Sequence, residues 1–195
     1  MQCACILQAI FNRVFRSVMS QYLARFVALF IATFTFVALA SAATPVRIAF
    51  VDSGNTGRSM TAAALAQRWA AQHGTNVAVI SRAVNLNPYN VVPGQEFVKL
   101  MAPLGIDVTA HRAAQFDKSV VLFSDLILVM TPAHRDRILS EFPEAKTKVV
   151  LLSEYATGQA VEVLDAYGQS PEFYAKVFQQ ISDLVPQVME KLPKK

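Results

Sequence analysis

Four short, mostly apolar runs separated by helical patterns constrain the fold of this chain more than any other feature. The runs are 46–51 (VRIAFV), 77–81 (VAVIS), 125–130 (DLILVM) and 148–152 (KVVLL). Their length and β-branched content are typical of buried strands. Strands that alternate with helices form parallel sheets covered on both faces. We therefore predict a three-layer α/β fold with a doubly wound, four-stranded parallel sheet and helices on both faces.

The segments between these runs supply the helices. The predicted helices cover 59–74, 95–105, 132–142 and 170–192, and 85–94 is predicted to be a loop. Gly74 follows the first pattern as a C-terminal stop, and Pro132 suits the first turn of the third. Pro186 lies inside the last pattern, where a proline can kink a helix.

The N-terminal residues 1–42 differ from the rest of the chain. They hold three arginines and no acidic residue, then an apolar stretch at 26–39 and the small residues Ala40-Ser41-Ala42. This order is typical of a secretory signal peptide, and the apolar stretch is shorter than the roughly 20 residues of a membrane-spanning helix. A start at Met19 would leave a signal of ordinary length. We expect a signal peptide at 1–42, a mature domain at 43–195, a periplasmic or secreted location and no membrane attachment after cleavage.

Removal of residues 1–42 changes the charge and the cysteine count. The whole chain has 18 Lys and Arg against 14 acidic residues; without the three arginines the balance is 15 − 14 = +1, which does not favour nucleic-acid binding. Both cysteines, Cys3 and Cys5, lie in the removed segment. A disulfide, a cysteine metal site and a thiolate nucleophile are therefore excluded for 43–195. No cofactor and no metal site are predicted, and the oligomeric state is left open.

The stretch 48–60 (IAFVDSGNTGRSM) leads from a predicted strand through a glycine-rich turn into a predicted helix. Two glycines would let successive N–H groups converge, and a helix that starts near Ser59 adds its positive end. Arg58 offers a planar fork for two phosphate oxygens, and Asn55 tolerates a positive φ. An ordinary turn between strand and helix is the alternative. The predicted phosphate-binding residues are Ser53, Gly54, Asn55, Thr56, Gly57, Arg58 and Ser59.

Four blocks of the sequence resemble the low-molecular-weight protein tyrosine phosphatase family. VDSGNTGRSM (51–60) is similar to the family pattern VCxGNxCRSP, and GIDVTAHRAAQF (105–116), DLILVMT (125–131) and DAYGQSPEFY (165–174) are similar to three further blocks in the same order. The resemblance implies the doubly wound fold. It also implies that phosphate or a phosphorylated group is the ligand.

The resemblance also assigns roles to individual residues. Asp165 falls on the general-acid position and Tyr167 on a wall of the pocket. Ser81 and His111 would join Asn55 and Ser59 in a polar network that braces the loop. The two remaining histidines, His73 and His134, match no family position and are expected at the surface.

The departures from the family pattern concern the chemistry itself. Asp52 stands where the family has its cysteine nucleophile, Gly57 replaces the second loop cysteine, and Met60 and Ala166 replace two prolines. A thiolate is a soft and strong nucleophile, whereas a carboxylate held by loop N–H groups is a weak one. Thiol-dependent arsenate reduction is excluded by the same count.

Three interpretations stay open for the loop at 52–59. The first is a phosphate-binding protein without thiol catalysis. The second is an active phosphomonoesterase in which Asp52 is the nucleophile, Arg58 binds the phosphate and Asp165 is the general acid. The third is a partner-binding pseudoenzyme in which the Asp52 carboxylate fills the bowl that the loop at 52–59 forms.

Overall fold

The computed structural model describes residues 44–193. Its parallel sheet has four strands, β1 (Val46–Asp52), β2 (Val77–Ala83), β3 (Leu126–Val129) and β4 (Val149–Leu151), in the order β2-β1-β3-β4. All three strand pairs are parallel. The predicted four-stranded, doubly wound sheet is thus confirmed, with β1 between its two neighbours.

Helices cover both faces of this sheet, as the alternation predicted. They are α1 (Arg58–His73), α2 (Gln95–Met101), α3 (Lys118–Phe123), α4 (Pro132–Glu141), α5 (Leu152–Thr157) and α6 (Pro171–Glu190). Two short 3-10 turns, Ala102–Leu104 and Pro143–Thr147, follow α2 and α4.

Two hydrophobic cores form because side chains of a strand alternate between the faces of a sheet. Ile48 and Phe50 of β1 point to the face covered by α1, α2, α5 and α6. Ala49 and Val51 point to the face covered by α3 and α4. All four side chains are fully buried, so β1 is fixed from both sides and the position of its last residue, Asp52, is fixed with it.

Several element boundaries differ from the prediction. Strand β2 continues to Ala83 because its outer edge is paired there with the loop 114–116: the Ala83 N–H donates to Ala114 and the Ala83 carbonyl accepts from Phe116. The sequence patterns did not predict the six-residue helices α3 and α5. Helix α3 is set by Asp117, whose carboxylate accepts from two N–H groups of its first turn.

The expected signal peptide, its cleavage site and the alternative start at Met19 lie outside the described residues. Within 44–193, no helix has both the length and the apolar character that a membrane span requires.

Candidate functional site

The loop that follows β1 begins at Asp52 and ends in the first turn of α1. Asn55 adopts φ 57°, the left-handed conformation expected for it, and is the only non-glycine residue to do so in the described chain. Neither loop glycine has a positive φ, so the turn depends on Asn55. Gly57 is needed for a different reason: a Cβ there would lie 2.9 Å from the Phe97 ring, whereas a Cβ on Gly54 would meet nothing closer than 3.8 Å.

Asp52 lies at the floor of this loop and is buried. One carboxylate oxygen accepts the Asn55 N–H at 2.5 Å and the other accepts the Ser59 N–H at 2.9 Å. The second donor is in the first turn of α1, where N–H groups have no partner within the helix. Asp52 is therefore held at the positive end of the helix, the part of the loop where an anion is most stable.

A network of hydrogen bonds braces the loop from outside. The Asn55 amide donates to the Ser59 hydroxyl (2.9 Å) and accepts from the Ala114 N–H (3.1 Å). The His111 ring bonds to the Asn55 carbonyl at 2.8 Å. Ser81, expected in the same network, is buried in β2, but no hydrogen bond joins its hydroxyl to the loop within residues 44–193.

Arg58, at the start of α1, is 4% exposed and directs its guanidinium across the loop. It donates to the Val163 carbonyl (2.9 Å), to the Asp165 carboxylate (2.8 Å) and, at 3.4 Å, to the Ser53 hydroxyl. Asp165 is about half exposed. The structure thus brings Asp52, Arg58 and Asp165 to the lining of one opening.

His134 corrects the sequence prediction, which placed it at the surface. It is only 6% exposed, and its Nε2 lies 2.9 Å from the Ser53 hydroxyl. Burial, and next the positive charge of Arg58, lower the pKa of His134 to about 4. His134 is the third residue of α4, which begins directly after β3 at the same edge of the sheet as Asp52. His73 is exposed, as expected.

An open cavity of about 280 Å³ lies over the loop. Asp52 is among the residues that line it, so open space remains beside this carboxylate. Tyr167 lines the cavity, as expected of a pocket wall, and is 77% exposed. The lining also includes residues that the sequence patterns did not indicate: Asn87, Asn90, Gly94, Phe97 and Tyr174.

The arrangement has the parts of an oxyanion site: a braced loop, a helix N-terminus and a buried arginine at an open cavity. The family model for low molecular weight phosphotyrosine protein phosphatases matches residues 47–195. This chain belongs to that family. The match begins one residue into β1 and includes the whole loop.

Individual relatives of this phosphatase-family chain are known under two activities. This chain is 33% identical over 147 residues to the protein-arginine-phosphatase of Bacillus subtilis, and the match covers 75% of this chain and 97% of that protein. It is 33% identical over 135 residues to EpsP of Ralstonia nicotianae, a probable low molecular weight protein-tyrosine-phosphatase, covering 69% and 87%.

A solved structure of a YwlE arginine phosphatase variant, with a phosphorylated active-site serine, superposes with a TM-score of 0.73. The two sequences are 32% identical, and the superposition covers 77% of this chain and 97% of the YwlE chain.

No group of three His, Cys, Asp or Glu side chains within 44–193 is placed to hold a metal ion.

Proposed function

We propose that this protein binds a phosphoryl group in the bowl formed by residues 52–59 and does so without thiol catalysis. The observation that carries the proposal is the placement of Asp52. Its carboxylate lies on the floor of the bowl and is held by two N–H groups, while an open cavity remains above it. Binding of an anion and loss of the thiol nucleophile are thus compatible in one site.

The same placement argues against Asp52 as an efficient nucleophile. Both of its oxygens accept N–H donors, and a carboxylate stabilised in this way is less available to attack phosphorus. Attack by an anion on a phosphoryl dianion also needs strong charge screening, which aspartyl-phosphate enzymes obtain from Mg²⁺. Arg58 is the cation closest to the bowl, and it is already paired with Asp165.

The relatives suggest which phosphorylated groups to test. The two names given above indicate phosphoarginine and phosphotyrosine, respectively. A phosphorylated serine in the active site of the solved relative shows that the bowl of that protein accommodates a covalently held phosphoryl group. We propose that the ligand of this protein is a phosphorylated side chain or a small phosphate ester, with Tyr167 against its organic part.

The test combines binding with turnover. We expect calorimetry to detect phosphate binding by residues 43–195, and Arg58→Ala to abolish it; Arg58→Lys, which keeps the charge but loses the fork, should bind weakly. Phosphoarginine, phosphotyrosine and an aryl phosphate should not be hydrolysed with or without Mg²⁺. Equal phosphate affinities of wild type and Arg58→Ala would reject the site. Mg²⁺-dependent turnover lost in Asp52→Ala would instead establish an aspartyl phosphatase.

We further propose that the protein is exported. The support is the sequence of residues 1–42, in which an apolar stretch precedes small residues at Ala40 and Ala42. Export would place the domain in an oxidising compartment, where a loop without cysteine has no thiol to lose. The intact mass of the exported protein should correspond to a start near Ala43. Recovery of a membrane-bound chain that retains 26–39 would contradict this proposal.

A further inference from the structure

His134 is a buried titratable group at the bowl to which the loop geometry alone assigns no role. Its Nε2 lies 2.9 Å from the hydroxyl of Ser53, which lines the cavity. Its Nδ1 is buried and has no hydrogen-bond partner. Buried polar atoms without a hydrogen-bond partner are uncommon in folded proteins, so this buried imidazole calls for an explanation.

Charged groups from three elements act on this imidazole. Arg58 at the start of α1 disfavours a positive charge on His134, while Asp52 at the end of β1 and Asp165 in the loop before α6 favour it. Burial opposes the charge most strongly, and with the pKa at about 4 the ring is neutral at neutral pH. Arg58 is the charged group that opposes protonation, and an anion bound to it would offset its charge.

A bound phosphoryl group would lie next to Ser53. The Ser53 hydroxyl is 3.4 Å from the Arg58 nitrogen that also contacts Asp165. An anion on this nitrogen brings two negative charges within a few ångströms of Ser53, whereas Asp165 contributes only one. In a site with little water, such charges interact strongly.

We propose that His134 is a second cationic group of the bowl, which takes up a proton when a phosphoryl dianion binds. The protonated Nε2–H donates to the Ser53 oxygen, and the Ser53 O–H then donates to an oxygen of the bound anion. The proton comes from solvent and forms an N–H bond on the imidazole ring, and no other covalent bond changes. This inference rests on the proposed function, since it concerns how the same bowl holds its anion.

The proposal fixes a direction of pH dependence. The dianion raises the pKa of His134, so it binds the protonated protein more tightly than the neutral one. Affinity should increase as pH falls through the pKa of the bound state. It should level off near the pKa of the free state, which is about 4.

Sulfate is the probe of choice because it stays a dianion throughout the accessible pH range, so any proton taken up on binding comes from the protein. Calorimetry at about pH 5.5 in buffers of different ionisation enthalpy gives the number of protons bound per sulfate. We expect about one proton for the wild type at this pH. Sulfate affinity should fall about tenfold per pH unit between the pKa of the free state, about 4, and the higher pKa of the bound state, and should be constant above the latter.

Matched variants identify the residue responsible. His134→Gln keeps a hydrogen-bonding group near Ser53 but cannot titrate, so its proton uptake should vanish and its affinity should vary little with pH. His73→Gln, which changes an exposed histidine at the far end of α1, should behave as wild type. NMR titration of the wild type, which needs no variant to fold, should show one histidine whose pKa rises by more than about two units with saturating sulfate.

The outcomes separate this inference from the proposed function. Failure of the wild type to bind sulfate or phosphate would reject the proposed function. Sulfate binding with no proton uptake at pH 5.5, or with uptake that persists in His134→Gln, would reject the role of His134 alone.

Discussion

The guanidinium of Arg58 and the carboxylate of Asp165 lie 2.8 Å apart, so the bowl holds an anion of its own before any ligand arrives. Asp165 is anchored there by the Tyr167 N–H, which donates to its second oxygen at 3.1 Å. An incoming phosphoryl group must share Arg58 with this carboxylate or displace it. The residue that the family resemblance places as the general acid is therefore also a competitor of the ligand.

Replacing Asp165 by asparagine should strengthen anion binding. The neutral amide keeps the size of the side chain but gives up the charge that occupies Arg58. Because Asp165 is half exposed, the gain should be modest, about two- to tenfold in the dissociation constant of sulfate. Calorimetry on Asp165→Asn measures it. The nearby exposed carboxylate of Glu162 serves as control, since Glu162→Gln should change affinity little; weaker binding by Asp165→Asn would show that this side chain helps to hold the anion.

Asp52 should also contribute to folding. In Asp52→Ala, the buried N–H groups of Asn55 and Ser59 lose their acceptor, which should lower the free energy of unfolding by about 1–3 kcal/mol. Asp52→Asn has one acceptor oxygen in place of two, so its free energy of unfolding should lie between those of the wild type and Asp52→Ala. Urea denaturation provides the measurement. A fully stable Asp52→Ala would mean that water replaces the carboxylate and that Asp52 has no structural role.

The fold and the loop were predictable because their signals are local. The alternation of apolar runs with helical patterns predicted the sheet. The positive φ of Asn55 was predictable from its residue type alone. The role of Gly57 was predicted less well. A glycine is required there because the ring of Phe97 in α2, forty residues later in the chain, lies against it. The sequence shows that a glycine is present but not which side chain approaches it.

His134 was missed for a related reason. In PAHRDRILSEF it stands among charged residues, and such a segment predicts a solvated helix face. Its burial arises because β3 and β1 are neighbours, so the start of α4 lies beside the loop after β1. Pro132 did signal the helix start, and the structure shows Thr131 as its N-cap. Combined with the observed strand order, that start places residue 134 near the carboxyl end of β1.

The two loop glycines should respond differently to a methyl group. In Gly57→Ala the new Cβ meets the buried Phe97 ring, which itself packs edge-on against Tyr174 at 5.2 Å. We expect a loss of about 1–3 kcal/mol in the free energy of unfolding. At Gly54, which has a negative φ, a new Cβ would meet the Thr56 hydroxyl only at van der Waals distance, 3.8 Å. Gly54→Ala should therefore change the free energy of unfolding by no more than about 0.5 kcal/mol beyond the usual effect of replacing a glycine.

Phe97→Leu supplies the control for this steric argument. If the clash with the ring is the cause, Gly57→Ala should cost less in the Phe97→Leu background than in the wild type, a coupling that a double-mutant cycle measures. Equal costs in both backgrounds would place the strain in the backbone of the loop.

Restoring a thiol tests whether the remaining site is intact. Asp52→Cys puts a sulfur on the floor of the bowl, next to the N–H groups of Asn55 and Ser59 that would stabilise a thiolate. We expect thiol-dependent hydrolysis of a small aryl phosphate by this variant and little or none by the wild type. Asp165→Asn in the Asp52→Cys background should lower the rate about 10²-fold if Asp165 protonates the leaving group.

The outcome of that series depends on the Arg58–Asp165 pair. For Asp165 to act as an acid it must leave Arg58 when the phosphoryl group binds. Ala166 and Met60, which stand at the two family proline positions, are both buried. Turnover by Asp52→Cys that is insensitive to Asp165→Asn would mean that the carboxylate stays outside the reaction. An Asp52→Cys variant that binds phosphate as the wild type does but remains inert towards it would contradict the prediction, since the bowl would then hold the anion out of reach of the sulfur.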